Sequence, residues 1–398
     1  MSQKANSIDL IAHLQQIPDP RIPRARKHLL VDILFLCLCA TLAGAEDCVA
    51  IADFAKAKEE WFAQFLELPN GIPSHDTINR VLARLDPKCL QIVFLHWVEA
   101  LRELILKGQG SGRDTIALDG KTLRHSFDIA TNQAAIHMVS AWSSATRLVL
   151  GQLKIDDKSN EITHVPLLLA LLDIAGCVIT TDAMSCQKKT VAQIIAQQAD
   201  YVLAVKDNQP HLFEDVQALL EHAKEQGFEG LSSQQVTTLD KDHGRIEERR
   251  YCLVSLPDYG WLEERVSWSG LCSVGCVESH RQVRNKEGKW VESVETRYYI
   301  SSLDASQKKN GLQFAESVRE HWGIENTLHW VLDIAFREDD CRLRMGHAAE
   351  NMAVMRHIAL NLLNQDKQSK IGVKNRRLRA GWDEDYLLRL LTGGGAAS

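Results

Sequence analysis

Three acids in different settings carry the chemistry legible in this chain: Asp119 in TIALDGKTLRHS, Asp182 in CVITTDAMSCQ and Glu325 in VREHWGIENTLHWVLD. Each aspartate ends or punctuates a short apolar, β-branched run, the pattern of a buried strand. The glutamate lies on a strongly helical stretch. Two strand carboxylates and one helix carboxylate meeting at a point make a hard, all-oxygen site, suited to Mg2+ or Mn2+ and to phosphodiester chemistry. A carboxylate at the carboxyl end of a strand, opening onto a loop and helix, is also where α/β sheets place ligands. Gly120 lets backbone or ligand approach Asp119 closely, and Lys121 and Arg124 bring two cations to the same segment. On the helix, His321, Glu325, His329 and Asp333 recur every four residues and so project from one slowly drifting face. That spacing is not HExxH, which argues against a zinc hydrolase. Taken singly, each feature is common on ordinary strands and helices; the combination is what carries information.

The elements that must position these acids follow from periodicity. Residues 1 to about 110 read as all-helical, with apolar residues at helical spacing over Ile8–Leu14, Leu29–Leu42, Cys48–Leu66, Ile78–Leu85 and Leu90–Leu106. Ser74 or Asp76 opens the helix PSHDTINRVLARL, whose Thr77, Asn79 and Arg80 offer a possible recognition face, although an ordinary packed helix is the commoner outcome. A linker at 108–112 follows, and the period then changes towards two. Strands are expected at Thr115–Asp119, Ala135–Trp142, Leu148–Ile155, Val178–Thr181 and Tyr201–Val205. Helices are expected at Pro166–Ile174, Lys189–Gln198 and Pro210–Lys224. Strands followed by βαβα indicate a mixed sheet with helices on its faces. Residues 226–305 turn polar and β-rich, as a separate sheet-rich insertion would. One long amphipathic helix, Leu312–Phe336, and a second, Ala348–Asn364, complete the pattern. The stretch 393–398 reads as frayed.

Bulk properties narrow the class. At 398 residues, with 45% hydrophobic and 25% charged residues, the chain has room for two or three domains with real cores. Its apolar segment at Leu29–Ala43 is interrupted by Asp32 and suits a buried helix rather than a membrane span. Ten scattered cysteines without a CxxC pair read as reduced thiols of a cytoplasmic protein. Cys272, Cys276 and His280 lack a fourth ligand at a familiar zinc spacing. The net charge of −6 does not favour indiscriminate nucleic-acid binding. Basic patches nevertheless exist at Arg21–Lys27 and between Lys367 and Arg379, as contacts to DNA or as plain solvated faces.

The ensemble ALDGKTLRHS, KSNEITHVPLLL, TTDAMSCQK, DYVLAVKDNQP, DHGRIEERRY and EHWGIENTLHWVLDIAFREDDCR resembles the H repeat-associated (ISAs-type) insertion-sequence transposases of the DDE class. Residues from Pro18 to Leu85 resemble the helical domain associated with that family. The resemblance implies a ribonuclease-H-like α/β fold: a mixed sheet flanked by helices, a β-rich insertion and an all-helical N-terminal domain. It implies that Asp119, Asp182 and Glu325 are catalytic and hold Mg2+ or Mn2+, two ions in all, with DNA as substrate and a homodimer at synapsis. It also implies DNA binding by the N-terminal helices and a DNA channel shaped by the insertion.

The expected division is 1–110 helical, 111–225 first part of the catalytic core, 226–310 insertion, 311–365 second part with the Glu helix, and 366–398 a basic tail. Many related enzymes flank the glutamate with Tyr, Arg and Lys; here those slots hold Val318, His321 and Leu332. Arg319, His321 and His329 are the local substitutes for DNA contact, together with Lys121, Arg124, Lys374, Arg376 and Arg377. The expected activity is cutting of element ends and joining of the 3′-OH to target DNA, in a bacterial cytoplasm and without a membrane. The rival readings are a plain metal-dependent nuclease, a catalytically dead transposase-derived DNA-binding protein and, least favoured, a small-molecule phosphohydrolase.

Overall fold

The computed structural model describes residues 9–108, 112–127, 134–155, 161–242, 244–256, 267–284 and 288–392. In chain order the first helices are α1 (Leu10–Leu14), α2 (Leu30–Leu42), α3 (Cys48–Ala57), α4 (Glu59–Phe62), α5 (His75–Arg84) and α6 (Pro87–Lys107). Then come β1 (Thr115–Thr122), β2 (His137–Ser143), β3 (Leu148–Ile155), α7 (Glu161–Leu169), β4 (Val178–Thr181), α8 (Lys188–Ala196), β5 (Asp200–Val205) and α9 (Pro210–Glu225). Four long strands follow: β6 (Ser233–Asp242), β7 (Arg245–Ser255), β8 (Ser273–Arg284) and β9 (Trp290–Ser301). The chain closes with α10 (Lys308–Gly323), a π-helical turn (Ile324–His329), α11 (Trp330–Ala335), α12 (Ala348–Asn364), α13 (Val373–Trp382) and α14 (Glu384–Leu391). The expected frayed stretch 393–398 and most of the 108–112 linker lie outside the described residues.

Contacts divide the chain into two compact units, one of residues 1–112, 120–160 and 325–398, the other of 113–119 and 161–324. The first is built on helices that are buried on nearly every side. Every residue of α2 except Val31 is buried, and in α12 only Glu350 and Asn364 escape burial, so both are central helices. The polar groups that α12 takes inside have partners. Asn351 Nδ2 donates to the Leu82 and Leu85 carbonyls at 2.8 and 2.9 Å, closing the end of α5. Asn361 exchanges hydrogen bonds with both backbone groups of Val149 on β3, which pairs antiparallel with β2.

In the second unit the strands run in the order β1-β4-β5-β9-β8-β7-β6. β1, β4 and β5 are parallel, and β9 returns antiparallel to β5, with Val202 opposite Ser301. The β-rich segment therefore extends the same sheet instead of forming one of its own. Its edge strand β6, SQQVTTLDKD, carries no alternating apolar pattern, which is why the sequence does not announce it. β9 shows the period of two directly. Tyr298 meets Phe213 of α9 edge-on at 5.6 Å, and the next residue, Tyr299, meets Phe314 of α10 at 5.7 Å. Helices thus cover both faces of a mixed α/β sheet.

One expectation gives way towards the C-terminus. The helix expected over Leu312–Phe336 is not uniform: α-helix gives way to one π turn at Ile324–His329 before α11 resumes. The i→i+5 bonding of that turn shifts the residues beyond it around the axis, so the every-fourth-residue stripe does not hold one face. The basic tail is folded as α13 and α14, with Tyr386, Leu387 and Leu390 buried.

Candidate active site

β1 and β4 place two acids side by side. Thr115–Leu118 pair in register with Val178–Thr181, and Asp119 and Asp182 each follow the last registered pair. In-register residues of parallel strands share a face, so both carboxylates point to the same side, on strands roughly 5 Å apart. Both are half-buried. β1 continues beyond Asp119 to Thr122, so this acid sits within the strand rather than at its end. Asp182 opens the loop to α8, where the Ser185 N–H donates to its Oδ1 at 3.1 Å. Burial raises the Asp182 carboxyl above its ordinary value against that hydrogen bond, and the neighbouring charges of Glu161 and Asp119 raise it further.

Glu161 is the site residue that spacing did not single out. It is 2% exposed at the start of α7, and the Ser185 hydroxyl donates to its Oε1 at 3.5 Å. Ser185 therefore stands between two carboxylates. The only sequence signal was an acid leading an apolar helix within KSNEITHVPLLL, which resembles an ordinary helix start.

α10 lies over the face that bears the aspartates. Thr115 Oγ1 and Ser317 Oγ are 3.3 Å apart, and His321 Nδ1 lies 3.0 Å from Thr180 Oγ1. Thr115 and Thr180 share their parity with Asp119 and Asp182, so α10 and the acids occupy one side of the sheet. Burial holds the His321 imidazole below its ordinary value; Asp119 opposes that shift and Arg297 adds to it. Arg319, also on α10, forms an ion pair with Asp240 at 2.9 Å, which Arg249 shares. Glu325 is exposed, in the π turn of the other unit, four positions after His321 in sequence.

Several cations expected to meet DNA are held inside the protein. Lys121 is 12% exposed and bonded to Asp333 and Glu338; Glu338 lies 3.6 Å from the equally buried Arg356. Arg377, 3% exposed, donates to the Thr41 carbonyl from Nε and Nη2, to Ala45 O, and to Ala335 O, capping α2 and α11, and it stacks 4.1 Å over Phe336. A guanidinium on helix-terminal carbonyls offsets their partial negative charge and leaves nothing for a phosphate. Burial lowers its pKa to about 10, so it stays charged at neutral pH. Arg376 is tied to the carbonyls of Leu363, Ser369 and Ile371. Charge runs in a sequence do not display their partners, and so the tail reads as more available than it is. Arg124, beside Asp339 at 3.2 Å, and Lys374 remain exposed, and His329 lies in the π turn.

Asp119 and Asp182 offer hard oxygen donors whose mutual repulsion a divalent cation would relieve, so the donor chemistry fits Mg2+ or Mn2+. Among the described residues, no three His, Cys, Asp or Glu side chains are grouped as a ready metal cage.

Residues 11–98 match a family model described as DDE_Tnp_1-associated, and residues 110–362 match the Transposase DDE domain. The chain belongs to the DDE transposase family. The "H repeat-associated putative transposase YhhI" of Escherichia coli (strain K12) is 40% identical over 389 residues, 97% of this chain and 98% of that one. "Putative transposase YncI" of Escherichia coli O157:H7 is 40% identical over 382 residues, 96% and 94% of the two chains. A piggyBac transposase synaptic complex with hairpin DNA matches at TM-score 0.39 and 10% identity, over 96% of this chain and 77% of that one, too distant a likeness to bear on the fold. The DDE match takes in Asp119, Glu161, Asp182 and Glu325. Among the described residues of this family member, no helix is long and apolar enough to cross a membrane.

Proposed function

We propose that this transposase cuts the ends of a bacterial insertion sequence and joins the freed 3′-OH to target DNA, in the cytoplasm, working as a homodimer when two ends are held together. The observation that carries the reading is the Asp119–Asp182 pair on adjacent parallel strands, in a chain of the DDE family. Glu325 is proposed as the third acid. Its support is sequence proximity to His321, which responds electrostatically to Asp119. The parallel β1-β4-β5 core flanked by helices supports a ribonuclease-H-like fold.

In this mechanism Asp119, Asp182 and Glu325 would hold two Mg2+ or Mn2+ ions. Such ions supply Lewis acidity to the attacking and leaving oxygens of an in-line displacement at phosphorus. The protein fixes the geometry. Ser185 anchors the Asp182 carboxylate through its N–H, and His321 braces α10 against β4 through Thr180. Water attacks the phosphodiester at the element end and breaks its P–O3′ bond, leaving the 3′-OH on the element and the phosphate on the flanking strand. That hydroxyl then attacks a target phosphorus and displaces the target's own 3′-oxygen, with no covalent enzyme intermediate. The N-terminal helices bind element ends, and β6–β9 shape the channel for DNA.

Strand-transfer assays on element-end duplexes test this. Asp119→Ala, Asp182→Ala and Glu325→Ala should each lower cleavage and joining by on the order of a thousandfold while end binding persists. Near-wild-type joining by Glu325→Ala would remove it from the site. A wild-type chain that binds ends and cuts nothing would be a transposase-derived DNA-binding protein, and one that cuts without joining would be a nuclease.

A further inference from the structure

The helical N-terminal segment forms an open cleft of about 340 Å3 that catalysis leaves without a role. Arg21, Lys27, His28, Thr77, Arg80 and Arg84 line it, with Ala25 and Val81 and, among the described residues, no acid. One wall is the segment between α1 and α2. There Arg21, 6% exposed, is held by Asp19 at 2.9 and 2.8 Å and donates to the His28 carbonyl at 2.7 Å. His28 Nδ1 in turn lies 3.1 Å from the Gly71 carbonyl, so this wall is fixed in place. The other wall is α5, which buries Ile78, Val81 and Leu82 and turns Thr77, Arg80 and Arg84 towards the cleft.

Charge accounting separates lining from function. Asp19 neutralises Arg21. Among the described residues, Lys27, Arg80 and Arg84 are exposed and have no acidic partner. Among the described residues, Arg80 Nη2 donates to Thr77 Oγ1 alone, at 3.2 Å. Two arginines at i and i+4 repel each other on a helix by a few tenths of a kcal/mol, an arrangement that folding alone disfavours. A concave wall with surplus positive charge focuses potential onto anions, and the arginine fork matches phosphate oxygens.

We propose that this cleft is a DNA-backbone subsite, in which Arg80 and Arg84 each meet a phosphate of a duplex, with Lys27 and the Thr77 hydroxyl beside them. About 6 Å apart at Cβ, the two guanidinium groups reach neighbouring phosphates. The contact is independent of base sequence, so it positions DNA and leaves discrimination to other residues. The inference rests on the transposase reading and locates one of its DNA contacts.

Fluorescence anisotropy with two labelled duplexes, the DNA flanking the gene and a scrambled control, tests it across a salt series. Arg80→Ala/Arg84→Ala should reduce the slope of log K against log salt by about 1.8 and weaken binding on the order of 50-fold at about 0.1 M salt. The preference for one duplex over the other should not change, and Arg80→Lys/Arg84→Lys should restore most of the slope. Both side chains are exposed, so circular dichroism and melting of the alanine variant should match wild type. A wild-type slope in that variant would overturn the subsite. Loss of inorganic phosphate or nucleotide binding with duplex binding unchanged would overturn it too, by assigning the cleft to a free phosphate ligand. If wild type binds neither duplex, the transposase reading itself fails, which is a distinguishable result.

Discussion

Glu161 shows what a single carboxylate does when burial, rather than spacing, decides its role. It lies almost fully buried beside Asp182 and raises that acid's pKa through its charge, on top of burial. Glu161→Gln keeps the shape and removes the charge, so Asp182 should titrate closer to its ordinary value. The sign is definite: a like charge disfavours the ionised form, and its removal moves the acid limb of the strand-transfer rate to lower pH. An unmoved limb would show that Glu161 does not act on Asp182. The placement of Asp119 and Asp182 at neighbouring apolar strands was legible in the sequence because each sits beside a β-branched apolar run. Lys121 and Arg377 read as more available than they are for the opposite reason, since their partners, Glu338 and the carbonyls of Thr41 and Ala335, are remote in sequence.

At the scale of elements, periodicity located most of what positions the aspartates. β3, β4 and α12 have the expected limits, because a buried strand or helix must keep its apolar side chains in step. It failed where side chains are not in step with burial: at the polar edge strand β6, and at the π turn, which depends on backbone hydrogen bonding that composition does not encode. Gly275 exposes the packing that holds α10 over the sheet. A Cβ there would come within 2.6 Å of Phe314 and 2.8 Å of the Cys252 carbonyl, and the carbonyl cannot yield. Gly275→Ala should therefore destabilise the fold by about 1–3 kcal/mol, read as a lowered melting temperature. An unchanged melting temperature would mean that α10 sits less tightly on β8 than described.

For the whole molecule, the family assignment and the distribution of acids pose one question. The mixed sheet was legible from strands followed by βαβα, whereas the continuity of β6–β9 with β5 was not, because a strand's neighbour cannot be read from its own residues. Asp119 and Asp182 share a unit and Glu325 opens a segment of the other, so the proposed three-acid site carries the requirement that acids separated by 63 and 143 positions meet. Diffraction from crystals soaked in Mn2+ tests that requirement most directly. Anomalous density between the Asp119 and Asp182 carboxylates, with Glu325 among the ligands, is the predicted result. Manganese bound elsewhere, or held by the two aspartates with Glu325 remote from it, would contradict the shared site.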